Sequence, residues 1–141
     1  MLRGERVVTL EVSLGAVVEV GPTPDGFRRV IPIVGGVVSQ GIDCVVLTGG
    51  ADWNVVRPDG STLLWARYSL RLHDGAVVSL TNTAELAPGD EPPFLTSPTF
   101  EVGDEGPVWL RSGVFVGVLR PEPGGDAVHI DVHRVALVES A

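Results

Sequence analysis

The sequence predicts an all-β protein, folded as a single closed or nearly closed antiparallel β-barrel of about eight to ten strands. Helical spacing of apolar residues is hard to find, whereas period-two alternation and short β-branched runs recur from end to end. The 18 glycines and 11 prolines fall largely between those runs, where turns need them. Many short strands in one small chain suit a sandwich or a barrel, and the barrel is preferred because closure removes exposed sheet edges.

The runs fall at 5–12, 15–20, 27–38, 43–48, 51–57, 61–73, 76–82, 98–102, 113–120 and 127–138. Two of the connections carry hairpin signatures: Pro58-Asp59-Gly60 after "WNVV" and Asp74-Gly75 after "RYSLRLH", since Asp-Gly supplies the positive φ of a tight turn. Between them, Leu64, Ala66, Tyr68, Leu70 and Leu72 share one strand face, and Leu63, Trp65, Arg67, Ser69 and Arg71 the other. Gly35-Gly36 and Gly49-Gly50 sit at strand ends, where a barrel needs bends. The proline-rich stretch 83–97 and the segment 120–126 read as exposed loops.

A length of 141 residues fits one domain, 1–141, with one core. Apolar residues at 44% and charged residues at 20% exclude a disordered chain. The net charge of -8 argues against nucleic acid or an anionic membrane surface as partner. All ten basic residues are arginine, so neither a Schiff-base lysine nor a phosphate-binding Walker lysine is present. The single Cys44 cannot form an internal disulfide, and Glu5, Arg6, Glu11 and Glu19 interrupt any signal-peptide core near the N-terminus. A cytoplasmic location is expected.

In "GGADWNVV", alternation places Asp52 and Asn54 on one face and Trp53 on the other. Asp52 is either a solvated carboxylate or an interior one whose raised pKa suits acid–base work. Glu101, flanked by Phe100 and Val102, poses the same alternative. Arg28 and Arg29 point oppositely, so at most one reaches the interior. Tyr68, among core-facing leucines, needs a partner for its hydroxyl.

"HIDVH" lines His129, Asp131 and His133 along one face, but the two histidines stand about 13 Å apart at strand spacing, too far to share an ion. That face reads as the wet side of an outer strand, Cys44 as a small buried filler, and no metal or cofactor is expected. Nucleophile-elbow, phosphate-loop and dinucleotide motifs are missing.

Taken together, "GFRRVIPIVGG", "GGADW", "RPDG", "ARYSL", "SPTFE" and "VWLRSGVFVG" resemble, in order and spacing over nearly the whole chain, the family of domain of unknown function 3237. The resemblance implies a small β-barrel, commonly a homodimer, with no established reaction. Its motif residues fall here on Arg28, Arg29, Gly35, Gly36, Gly49, Gly50, Asp52, Trp53, Tyr68, Glu101 and Trp109. Cys44, Ala84 and Arg111 depart from the pattern.

The function expected from these residues is a cofactor-independent isomerase, cyclase or lyase acting on a small, largely apolar metabolite. Asp52 is its general base or acid and Glu101 the partner, while Tyr68 with Arg28 or Arg29 polarises a substrate oxygen. Trp53 and Trp109 shape the pocket, and Arg67 and Arg111 are further substrate-binding candidates. The alternatives are a non-catalytic small-molecule-binding barrel and a structural dimer with a filled core.

Overall fold

The computed structural model describes residues 1–139. Ten strands follow one another: β1 (Leu2–Leu14), β2 (Val18–Thr23), β3 (Gly26–Gln40), β4 (Cys44–Val46), β5 (Gly50–Val56), β6 (Thr62–Leu72), β7 (Val77–Leu86), β8 (Phe94–Val102), β9 (Val114–Pro121) and β10 (Ala127–Leu137). A single 3-10 turn, Val108–Leu110, lies between β8 and β9, and no α-helix occurs among the described residues.

Eight strands close a fully antiparallel barrel in the order β1-β10-β9-β8-β7-β6-β5-β3, with the β1–β3 pairing completing the circle. The two extra strands are β2, which pairs with the start of β3, and β4, which pairs with β3 and β6 beyond β5. Among the described residues, no helix is long and apolar enough to cross a membrane.

Strand β3 is the pivot of the closure. Its first half pairs with β5 and its second half with β1, and the two pairings meet at Ile33, just before Gly35-Gly36. Gly36 has φ +147°, and a Cβ there would run into the Glu11 carbonyl, so only glycine lets β1 approach. Both Asp-Gly connections form turns. Gly60 (φ +88°) donates to Arg57 O while Asp59 Oδ1 accepts the Ser61 amide at 2.8 Å, and Gly75 (φ +94°) donates to Leu72 O while Asp74 Oδ1 accepts the Ala76 amide at 3.0 Å.

The stretch 83–97 differs from its expected loop. β7 continues to Leu86 and β8 begins at Phe94, which leaves only 87–93 as connection. The prolines Pro88, Pro92 and Pro93 all sit inside that shorter loop, while Ala84 and Leu86 carry on the alternation of β7. Pro98 is tolerated within β8.

Packing divides the barrel into two halves. Toward the end that carries the loops 41–43, 73–76 and 103–113, the interior is solid: Leu70, Val78, Leu80, Val102, Phe115 and Val132 are buried, and Leu110 of the 3-10 turn plugs the end. Phe100 and Phe115 meet edge-on with centroids 5.2 Å apart. Toward the end that carries 57–61, 87–93 and 122–126, the interior is hollow.

Candidate functional site

The hollow half encloses a cavity of about 310 Å³. Val12, Leu14, Leu119, Val128 and Ile130 form an aliphatic wall on β1, β9 and β10. The opposite wall, on β3, β5, β6, β7 and β8, carries the polar lining: Arg29, Asp52, Asn54, Tyr68, Asn82 and Thr96, with Thr62 and Thr83 also on it.

Asp52 points inward because alternation from Trp53 sends its side chain to the barrel axis. The β5–β6 ladder pairs Asp52 with Ala66 and Val55 with Leu63 but has no pair at Trp53 or Asn54, and in that gap Asp52 Oδ1 accepts the Trp65 amide at 3.0 Å. Burial raises the Asp52 pKa above its ordinary 3.8; the Trp65 amide and the nearby Arg29 charge pull the other way without cancelling it. The result is a carboxyl whose proton is held more tightly than in water.

Arg29 stands opposite Asn54 in the β3–β5 register and donates from Nη2 to Asn54 Oδ1 at 3.4 Å. Arg28, its neighbour, faces outward, donating to the Trp53 carbonyl at 2.9 Å and pairing with Asp25 at 3.8 Å. Tyr68 is 3% exposed, and burial raises its hydroxyl's pKa well above the usual tyrosine value. It fits because residue 50 is glycine: a Cβ there would come within 2.5 Å of the Tyr68 Cβ and 2.6 Å of the Arg67 carbonyl.

Among the described residues, four buried side-chain polar atoms have no hydrogen-bond partner: Arg29 Nε, Tyr68 Oη, Asn82 Oδ1 and Thr96 Oγ1. All four residues line this one cavity. Buried polar groups are nearly always satisfied, so four unpartnered atoms in residues around one hollow set that half of the barrel apart from the packed one.

Several expected site residues lie elsewhere. The Glu101 side chain is 79% exposed and pairs with Arg67 at 3.4 Å on the outer surface, so it does not share the cavity with Asp52. The cause is register: Glu101 is paired with Ser79, on the outward face of β7. Arg67 also donates to Thr81 at 2.8 Å, and Arg111 holds the Val102 and Gly103 carbonyls at 3.1 Å each. With Glu101 they line a shallow outer groove. Trp53 faces outward at 48% exposure, and Trp109 packs against Phe115 near the closed end. Neither touches the cavity.

Asn54, Asn82 and Thr96 were not singled out from the sequence as site residues. Asn54 and Asn82 had a visible signal, since each continues an inward face, Asn54 with Asp52 and Asn82 with Val78 and Leu80. Thr96 had none, because it fell inside the stretch read as loop.

On β10, Val128, Ile130 and Val132 turn inward and His129, Asp131 and His133 outward, as alternation requires. His129 bonds to Glu11 through Nδ1 and contacts Asp131 at 3.3 Å through Nε2, and Asp131 accepts the Thr9 hydroxyl at 2.8 Å. Glu11, Glu122 and His129 bring one potential metal-ligand atom each within 4.8 Å of one another, but two of the three are carboxylates reaching solvent and none lines the cavity. Cys44 is buried in the packed half, where burial, with Asp43 adding to it, pushes the thiol up to about 11.

Fold and site together define a small closed β-barrel with one half filled and the other opened into a polar-lined cavity. The chain belongs to the family described as "Protein of unknown function (DUF3237)", whose model matches residues 3–135. A UPF0311 protein of Bradyrhizobium diazoefficiens is 37% identical to it, over 92% of this chain and 93% of that one. The crystal structure of a conserved protein of unknown function from Rhodopseudomonas palustris is 36% identical, covers 96% of this chain and 99% of its own, and superposes with a TM-score of 0.85. A Penicillium herquei protein described as an enzyme shares the fold at 18% identity, with a TM-score of 0.72 over 93% of this chain and 94% of its own.

Proposed function

We propose that the protein is a cofactor-independent acid–base enzyme, an isomerase, cyclase or lyase, acting on a small, largely apolar metabolite held in the barrel cavity. The observation that carries this reading is Asp52: a carboxyl with an upward-shifted pKa, beside the Arg29 cation, in an otherwise mostly aliphatic hollow. One carboxylate oxygen is engaged by the Trp65 amide, which fixes the group's orientation and leaves Oδ2 to move a proton. Arg29 Nε and the Tyr68 hydroxyl are the available donors for a substrate oxygen on which negative charge develops. Glu101 has no part in this arrangement.

A non-catalytic carrier is the second reading, favoured by the same unpartnered polar atoms, which serve binding as well as turnover. A filled structural barrel has no place for a cavity of about 310 Å³. A homodimer in the reducing cytoplasm belongs to the same proposal, supported by the free thiol of Cys44 and by the exposed Val18, Val20, Trp53 and Trp65 side chains.

The test needs no knowledge of the natural substrate. In D2O, the protein should accelerate exchange of the protons α to the carbonyl of cyclohexanone, followed by proton NMR, and Asp52→Asn should reduce the rate to that of buffer while leaving the fold intact. A wild-type rate equal to buffer, or full exchange by Asp52→Asn, contradicts the enzyme reading.

A further inference from the structure

The polar atoms that lack partners are not scattered around the cavity. They lie on a contiguous run of strands, β3 to β8, whereas β1, β9 and β10 across from them offer only hydrocarbon from their side chains. Within the polar wall the register sets two stations. Asp52 on β5 pairs with Ala66 on β6, and Ala66 with Asn82 on β7, so the acid and the amide flank a single small methyl. Their backbones are two strand spacings apart, about 10 Å. Arg29 and Asn54 extend the first station, and Thr96 on the adjacent β8 extends the second.

The two stations ask for different chemistry. At the first, the Arg29 guanidinium can only donate, so it calls for an acceptor oxygen such as a carbonyl, enolate or carboxylate. At the second, the Asn82 carboxamide and the Thr96 hydroxyl, each in a residue at most 5% exposed, can together both donate and accept. A hydroxyl group satisfies both at once, and does so whichever way the carboxamide is turned.

We infer that the ligand of the cavity is an amphiphile oxygenated at two separated points along one edge, with an acceptor oxygen at Arg29 and Asp52, a hydroxyl at Asn82 and Thr96, and a hydrocarbon edge against β1, β9 and β10. This rests on the cavity of the proposed function being the binding site and names what that site selects. Asn82 and Thr96 are specificity-determining residues. They reject a ligand that lacks the hydroxyl, because its entry leaves two buried polar groups unpaired.

The experiment compares two probes, 4-hydroxycyclohexanone and cyclohexanone, by ligand-observed NMR titration. The wild-type protein should bind the hydroxyketone about tenfold more tightly, the scale of one well-made buried hydrogen bond. Asn82→Leu, close in shape, should abolish that preference by weakening the hydroxyketone alone, and Thr96→Val, isosteric, should reduce it. Equal affinities in the wild type, no binding of either ketone, or an equal loss of both in Asn82→Leu overturns the inference. A hydroxyl preference without α-proton exchange sinks the acid–base reading and leaves this inference standing; exchange without the preference does the reverse.

Discussion

Strand β6 contributes Leu64, Ala66 and Tyr68 to the cavity and, one inward position further on, Leu70 to the packed half, where it is 1% exposed. Strand β7 behaves alike: Asn82 lines the cavity, while Leu80 and Val78 are core. The same strands, in the same register, therefore build a hollow half and a filled half. What differs is the inward sequence. The filled half stacks leucine, valine and phenylalanine and is capped by Leu110, whereas the hollow half places Ala66, Ala84 and three short polar side chains, Asp52, Asn82 and Thr96, where leucines would meet. Side-chain volume, not backbone topology, decides where the barrel is open, and the unfilled, partly unsatisfied half gives up packing stability that the filled half keeps.

The largest effect that tests this contrast is truncation on either side of it. Leu70→Ala in the packed half should lower unfolding stability by about 2–5 kcal/mol in a urea titration, because it opens a new void in tight packing. Leu64→Ala, whose side chain already borders empty space, should cost clearly less. Equal losses would show that the two halves are packed alike. Next is Gly50→Ala, whose added methyl collides with the Tyr68 Cβ and the Arg67 carbonyl; overpacking of this kind costs about 1–3 kcal/mol and should displace Tyr68 from the cavity, read as a change in tyrosine fluorescence.

Asn82→Leu works in the opposite direction. It replaces an unpartnered buried amide by hydrocarbon of similar size, so the ligand-free protein should become more stable by up to about 1 kcal/mol in the same titration, even as hydroxyl selection is lost. A loss of stability would mean that Asn82 is satisfied inside the protein.

The smallest effect lies outside the barrel, at His129. Hydrogen bonding to Glu11 raises its pKa, burial opposes, and Asp131 adds to the rise. A raised histidine pKa gives stability that is fully present below the unfolded value of about 6.5 and is lost as pH rises through the folded value. His129→Gln should therefore cost less than about 1 kcal/mol near pH ~5, as fits a partly exposed pair, and nothing in alkaline solution. A loss that grows with pH would reverse the assignment.

Much of this architecture was legible from period and punctuation. The two Asp-Gly hairpins, the inward face Leu64 to Leu72 and the outward face of "HIDVH" follow from alternation alone, because one face of each strand is core and the other is wet. Alternation also separated Asp52 from Trp53 and made Arg28 and Arg29 exclusive alternatives. For Glu101, alternation with Phe100 and Val102 pointed to solvent and only the family resemblance drew the acid into the candidate site; Phe100 and Val102 turn inward and leave it to Arg67 outside. Convergence of distant strands was beyond reach as well. Asn82 and Thr96 share the cavity with Asp52 only through the barrel's register, and Thr96 was obscured by prolines whose influence stops at Pro93.

Asp52 is an interior acid and not a surface one. Titration of its side-chain carboxyl carbon by 13C NMR reads this without any substrate. The midpoint should lie above 3.8 and move further up in a variant that removes the Arg29 charge, such as Arg29→Gln. A midpoint at or below 3.8, indifferent to Arg29, would place the carboxylate in water and take the proposed chemistry with it.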